Sequence, residues 1–367
     1  GGGAPQYDRE TKEPEYIKET RAFDTENLKT DVPPHEAFRR ILTAPVVASK
    51  RWVFEQYDSQ VRTNTMSIKG DAAVMRIKEL PGKGISVCTD CNSRFVYLNP
   101  YRGAMAAVCE AARNVVCTGA EPVAITNCLN FGNPYDPEVY WQFKEAIKGM
   151  GDACRALNTP VTGGNVSFHN ESRNYAVYPT PVIGMLGVID DLDKTMSAGY
   201  KNEGDSIYII GNERRELGGS QYLKVIHDKI SGDAPLIDLE EEIALQKTLL
   251  QAIRDGLISS AHDISEGGLA ICLAEKAIMS DNNMGAEIFL AMEISPGLLF
   301  GESNSRAVVS VSPDKEQHFV KLCETAQVGI RRIGKVKAKK FTIEGCIHST
   351  VSELRELYEN AIPEMIK

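Results

Sequence analysis

The stretch from Gly103 to Thr118 is built almost entirely from small and apolar side chains, from Ala104-Met105-Ala106-Ala107-Val108 to Val115-Val116-Cys117. A helix that is apolar all round is buried, so the fold has to form around this segment. Gly119 supplies a natural C-terminal stop. The flanking segments read as strands and one amphipathic helix. Ala72–Ile77 and Gly84–Asp90 are strand-like and separated by the turn signal Pro81-Gly82. Pro122–Cys128 is the next strand, and Asp136-Pro137 then provides an N-cap and a first-turn proline. Val139, Phe143, Ile147, Met150, Cys154 and Leu157 recur at helical steps and predict a helix over 137–157 with one buried face. Val182–Ile189 is a buried strand that closes this unit.

At 367 residues the chain exceeds one comfortable core and predicts about two domains. Residues 1–50 read as a linker and wrapping segment, with a short helix from Pro34 to Leu42. The first domain is set at 51–192 and the second at 193–367, with the polar stretch Asp190–Asn202 at the boundary. The second unit opens with the strand Asp205–Gly211. A helix begins at Leu217-Gly218-Gly219-Ser220, and a longer one runs from Leu239 to Asp255. Gly301–Arg306 is a polar loop expected at a domain interface, before the strand Ala307–Val311. A helix over 315–326, short strands to Ile347 and a final helix from Ser352 complete it. Lys335, Lys337, Lys339 and Lys340 alternate with apolar residues as a solvated strand face.

Composition narrows the function classes. A hydrophobic content of 43% and a charged content of 25% are those of a soluble globular protein, and a cytoplasmic location is the default expectation. No apolar run reaches membrane-spanning length, and a net charge of −9 argues against a general nucleic-acid surface. The nine cysteines lie mostly in apolar stretches and read as reduced thiols. Cys88-Thr89-Asp90-Cys91 has suggestive spacing but lacks a second ligand pair for zinc.

Thr159-Pro160-Val161 leads into Thr162-Gly163-Gly164-Asn165-Val166-Ser167-Phe168-His169-Asn170. Alone, this is either a hairpin turn with incidental polar residues or a ligand loop. In the second case the glycines turn through positive φ, exposed N–H groups form an anion-binding concavity, Asn165 offers an oxygen to Mg²⁺ and Ser167 a hydroxyl. Asn127 and Asn165 both fall at the C-terminal ends of predicted strands, where open α/β folds bind ligands. Asp90 ends a strand too, but alone reads as a turn or cap residue. His262-Asp263 before Gly267-Gly268 invites an acid–base reading. Adjacent strand residues point to opposite faces, however, so a turn and cap role is preferred. No Walker loop, G-x-G-x-x-G, G-x-S-x-G or glutaminase cysteine setting is present.

Five ordered motifs carry a resemblance. They are Thr89-Asp90-Cys91-Asn92-Ser93-Arg94-Phe95, Glu110-Ala111-Ala112-Arg113-Asn114-Val115, Asn130-Phe131-Gly132-Asn133-Pro134, Gly164-Asn165-Val166-Ser167 and His262–Ala270. Together they resemble the C-terminal half of phosphoribosylformylglycinamidine synthase in its small, glutaminase-lacking form, across nearly the whole chain. The resemblance implies the α/β (α+β) fold shared with aminoimidazole ribonucleotide synthetase. In each half an α/β domain pairs its sheet with that of the other half, and a second α/β domain follows. It implies a ligase of purine biosynthesis that uses ATP to activate the amide oxygen of formylglycinamide ribonucleotide, before ammonia from a separate glutaminase subunit displaces phosphate.

By motif match, Gly164 resembles an ATP contact, Asn165 a Mg²⁺ ligand and Ser167 a contact to the nucleotide substrate. Asn127 occupies the other ATP position, where the family usually has Asp. The catalytic histidines belong to the other half, so no catalytic residue carries over. The implied partners are the N-terminal half, the glutaminase subunit and a small accessory subunit. Alone, the chain is expected to be inactive and to form a homodimer through the uncovered sheet. The alternatives are a structural or nucleotide-stabilised half of the same enzyme, or another ATP-dependent member of the superfamily.

Overall fold

The apolar run is a helix, and every residue from Gly103 to Cys117 within it is buried. A computed structural model describes all residues except 1, 2, 4–6, 8, 26 and 174, so most of the glycine-rich start lies outside the described residues. The chain opens with three helices, α1 (Glu15–Arg21), α2 (Pro34–Leu42) and α3 (Arg51–Phe54). Strands β1 (Thr65–Ser67), β2 (Ala73–Arg76) and β3 (Gly84–Asp90) follow, then α4 (Ser93–Leu98) and the buried helix α5 (Pro100–Cys117). β4 (Glu121–Asn130), α6 (Pro137–Leu157), β5 (Val161–Ser167) and β6 (Thr180–Ile189) finish the first unit. Its six strands lie in the order β1-β2-β3-β6-β4-β5, antiparallel except for the β4–β5 pair. Helix α6 forms as its sequence predicts: Asp136 caps Glu138 N–H, Pro137 sits at the first position, and Asn158 ends the helix in the left-handed region.

The second unit runs β7 (Ser206–Ile210), α7 (Gln221–His227), α8 (Leu239–Arg254), β8 (Ser260–Asp263), α9 (Gly268–Ile278), β9 (Met284–Ile288), α10 (Pro296–Phe300), β10 (Ala307–Val311) and α11 (Glu316–Thr325). It ends with β11 (Ile330–Ala338), β12 (Lys340–Ile343), β13 (Ile347–Thr350) and α12 (Val351–Met365). Its seven strands lie in the order β13-β12-β9-β11-β7-β10-β8. One face packs on α9, α10, α12 and α2, the other on α8 and α11, so this sheet is covered on both sides. Helix α2, from the segment expected to wrap, gives Phe38, Ile41 and Leu42 to the first of these cores, and Ile17 of α1 is fully buried.

The first sheet is covered on one face only. Ile125, Leu129, Ile183, Met185 and Ile189 point into a core with α5 and α6. On the opposite face Leu186 and Val188 are 36% and 37% exposed, and Ile85 and Val87 are half-buried. Helix α5 joins the units, touching α6, β3 and β6 on one side and α8 and β8 on the other. All nine cysteines are unpaired, and the Cys88 thiol donates to the Ala111 carbonyl at 3.2 Å. Among the described residues no helix is long and apolar enough to cross a membrane.

Candidate functional site

Val161–Ser167 is a strand where a glycine turn was expected. β5 runs parallel to β4, and neither Gly163 nor Gly164 has a positive φ, so the segment makes no turn-type concavity. Glycine at 164 answers a different need. A Cβ there would sit 2.1 Å from Asn127 Oδ1 and 2.6 Å from the Asn127 carbonyl oxygen, whereas Gly163 has open space. The register pairs Asn127 with Gly164, Cys128 with Asn165 and Asn130 with Ser167.

Strand alternation divides the predicted set into two pairs. Asn127 donates to Met150 Sδ of α6 at 3.4 Å, so Asn127 and Gly164 belong to the helix-covered side. Asn165 and Ser167 belong to the open face, with Asn165 exposed and Ser167 Oγ donating to Asn170 Oδ1 at 3.1 Å. A single ligand touches both pairs only by reaching around the free edge of β5. The rule that puts ligands at the carboxyl ends of strands belongs to parallel sheets, and in the first sheet only β4 and β5 are parallel.

A second constellation lies where α5 meets the second unit. His262 and Asp263 form part of β8 and are buried, and Gly267 is the N-cap of α9, so the expected turn and cap role does not hold. Asp71, just before β2, reaches across from the first unit. Its Oδ1 makes a very short hydrogen bond with His262 Nδ1, and its Oδ2 accepts from the Asp263 N–H at 3.1 Å. The alternation of β8 is obeyed, because the shared carboxylate meets one ring and one backbone group. His262 Nε2 lies 3.2 Å from Glu275 Oε2 of α9.

Arg113 of α5 donates to both oxygens of Glu242 at 2.8 and 2.7 Å, and its Nε lies 3.6 Å from Asp263 Oδ2. Ser305 Oγ and Gln246 Nε2 complete the Glu242 shell at 2.5 and 2.8 Å. Asn114 holds Asp90 Oδ2 at 2.9 Å, and Asn92 donates to Glu266 Oε1 at 3.3 Å. The loop Gly301–Arg306 is wholly buried, and Glu302 Oε1 accepts the Gln221 and Gly267 N–H groups, both at 2.7 Å.

The electrostatics follow from this crowding. Burial, then Glu266 and Asp263, hold the Asp90 carboxyl well above the usual range. Burial, then Asp90 and Glu266, do the same to Glu110. Asp263 is pushed up to about 7 by burial and by Asp71, against the pull of Arg113 and His262. Burial alone would discharge His262, but Asp71, Cys272 and Glu275 together outweigh it and raise the ring well above its ordinary value. Carboxylates sharing one space cannot all ionise without an added positive charge. Asp90, Glu110, Asn114, Asp263 and Glu266 offer oxygen donors of the kind a hard divalent cation takes, although among the described residues only Asp71, His262 and Asp263 bring three acidic or imidazole ligand atoms within 4.8 Å of one another. Asp263 Oδ2 has no hydrogen-bond partner, and Asp90 and Glu266 are half-buried, so the cluster opens outward.

Sequence reading assigned a role to none of Asp71, Glu110, Arg113, Asn114 and Glu242. A signal existed for three of them: Glu110, Arg113 and Asn114 are spaced i, i+3, i+4 in an otherwise apolar helix and share one face. Asp71 and Glu242 carried none, because their partners lie far away in the chain.

Residues 69–189 match the N-terminal domain of AIR synthase related proteins, and residues 202–345 match the C-terminal domain. The chain is 48% identical over its whole length to the phosphoribosylformylglycinamidine synthase subunit PurL of Salinibacter ruber, of which it covers 50%. In structure it resembles Thermotoga maritima PurL complexed with FGAR, at a TM-score of 0.70 and 19% identity, covering 87% of this chain and 52% of that one. The same protein complexed with ATP gives a TM-score of 0.68 at 20% identity, over 88% and 52%. The chain thus spans about half the length of the relatives it matches.

Proposed function

From the premise that the chain belongs to the AIR synthase related family, we propose that it is the C-terminal half of a phosphoribosylformylglycinamidine synthase. In that role it contributes to a cleft completed by the N-terminal half. The observation that carries this reading is the one-sided cover of the first sheet. Its free face presents Leu186 and Val188, and the same face holds Asn165 and Ser167. Apolar surface beside polar ligand-type residues suits a shared interface with a site at its margin. Asn165 offers an amide oxygen to Mg²⁺, and Ser167 a hydroxyl to the nucleotide substrate. Asn127 and Gly164 would meet ATP from the other side of the edge strand, where the missing Cβ lets Asn127 Oδ1 lie against the Gly164 backbone. Mg²⁺ would neutralise phosphate charge during amide activation; the residues of this chain would orient the ligands. A glutaminase subunit and a small accessory subunit would complete the enzyme, and a cytoplasmic location suits purine biosynthesis.

A second reading is favoured by the buried carboxylates. In this reading Asp90, Glu110, Asn114, Asp263 and Glu266 would close around a divalent cation within this chain alone, and with it the phosphates of a structural nucleotide. The test is calorimetric titration of ATP with Mn²⁺ into the chain, alone and mixed with a separately expressed N-terminal half, together with substrate-dependent ADP release. The first reading expects ADP release only from the mixture. Release by the purified chain alone overturns it. Tight Mn²⁺ and nucleotide binding by the chain alone supports the second reading, and its absence removes it.

A further inference from the structure

The Asp71–His262–Glu275 line is built like a support rather than a ligand set. One atom each from Asp71, His262 and Asp263 lie within 4.8 Å of one another, which is metal-like spacing. The imidazole, however, is committed on both sides: Nδ1 to Asp71 and Nε2 to Glu275 at 3.2 Å. Two carboxylate acceptors require two N–H donors, so the ring has no lone pair left for a cation. The side chain of Asp71 is 1% exposed and that of His262 9%, so water does not compete for these bonds.

The far end of the line is more informative. The second oxygen of Asp71 takes the Asp263 N–H at 3.1 Å, at the last residue of β8. That contact fixes the strand terminus from which the Asp263 carboxylate projects toward Arg113. The line also crosses the two units, because Asp71 belongs to the first and His262, Asp263 and Glu275 to the second. Asp90 and Glu110 come from the first unit as well. A cation held by these carboxylates would therefore have ligands from both units, and Asp71 and His262 form a hydrogen-bonded pair that ties β8 to the first.

We propose that His262 and Glu275 are positioning residues for a divalent-cation site: through Asp71 they fix the backbone of Asp263, and so aim its carboxylate at the ligands on β3 and α5. The proposal rests on the second reading above, that the buried carboxylates hold a cation. Neither His262 nor Glu275 touches the ion. Groups that orient a ligand from behind its first contact are worth roughly 10- to 100-fold in metal affinity.

Mn²⁺ alone is the probe, its free concentration followed by electron paramagnetic resonance during titration of the full chain. Asp90→Asn assigns the binding to this cluster by abolishing it. Glu275→Gln keeps the shape and leaves Nε2 an uncharged acceptor, and should weaken Mn²⁺ by about 10-fold. His262→Gln cannot bridge both carboxylates and should lose closer to 100-fold. Melting curves establish that each variant is folded at the titration temperature. If His262→Gln does not fold, Glu275→Gln decides, since Glu275 is partly exposed and the change is isosteric. Wild-type chain that binds no Mn²⁺ overturns the carboxylate reading and the proposal with it. Wild-type binding with folded variants of equal affinity overturns the positioning role alone.

Discussion

Replacing Arg113 by methionine tests the joint between the units. Arg113 and Glu242 are both fully buried, and the guanidinium donates to both carboxylate oxygens at 2.8 and 2.7 Å. Methionine is close in length and removes the charge. Glu242 would keep Ser305 and Gln246 as donors, which satisfy its oxygens but do not neutralise it. Stranding one member of such a pair costs about 3–5 kcal/mol, while replacing both by apolar residues is often nearly neutral. Arg113→Met should therefore lower the urea midpoint by the equivalent of about 3–5 kcal/mol at constant m, and Arg113→Met/Glu242→Leu should recover most of it. The cost should also be smaller at pH 5 than at pH 8, because Arg113 opposes the upward drift of Asp90, Glu110 and Asp263, and protonation discharges the carboxylates left without it. A single variant within about 1 kcal/mol of wild type, or a double variant as unstable as the sum of its parts, would refute the argument.

Asp263 titrates near 7 in the folded chain against an ordinary 3.8, so between those values the folded state keeps a proton that the unfolded chain has released. Its stabilisation is complete below pH 4 and is lost as the pH rises to about 7; with chelator present, Asp263→Asn should flatten the fall in melting temperature, and an unchanged slope contradicts this. Gly164→Ala sets a Cβ 2.1 Å from Asn127 Oδ1 and should cost about 1–3 kcal/mol by denaturation, partly relieved by Asn127→Ala; a neutral single variant means that β5 shifts freely. In the enzyme reassembled with its N-terminal half, Ser167→Ala should raise the substrate KM by the equivalent of about 1–2 kcal/mol with kcat little changed, and an unmoved KM removes Ser167 from the site. The isolated chain should sediment as a homodimer through the open face of the first sheet, and a monomer at high concentration counts against that pairing.

The elements legible in the sequence were those set by neighbours in the chain. The bounds of helix 137–157 were readable to the residue, because Asp136 and Pro137 are local signals, but its buried strip runs through Gln142, Ala146, Gly149, Met150, Ala153 and Cys154, and Ile147 of the expected face is exposed. The Gly163-Gly164-Asn165 segment was misread as a turn because glycine has two uses that a sequence cannot separate. It can adopt positive φ, or it can let something come close. At Gly164 the second applies, and what comes close is Asn127, 37 residues earlier in number and adjacent only after β4 and β5 pair.

The His262-Asp263 misreading has a related origin. Neighbours on β8 do face opposite ways, but a shared partner needs only one side chain and one backbone group: Asp71 binds the ring of His262 and the backbone N–H of Asp263. Nothing local announces Asp71, which arrives from 191 residues away. The buried helix α5 is what brings these distant groups together. Its apolar length forces it between the two units, and there Glu110, Arg113 and Asn114 need partners that its own unit only partly supplies. Glu242 and Asp263 come from the second unit to meet Arg113. The feature that most constrains the fold therefore also gathers the charged residues, since polar side chains on a helix buried from both sides can be satisfied only where the two units meet.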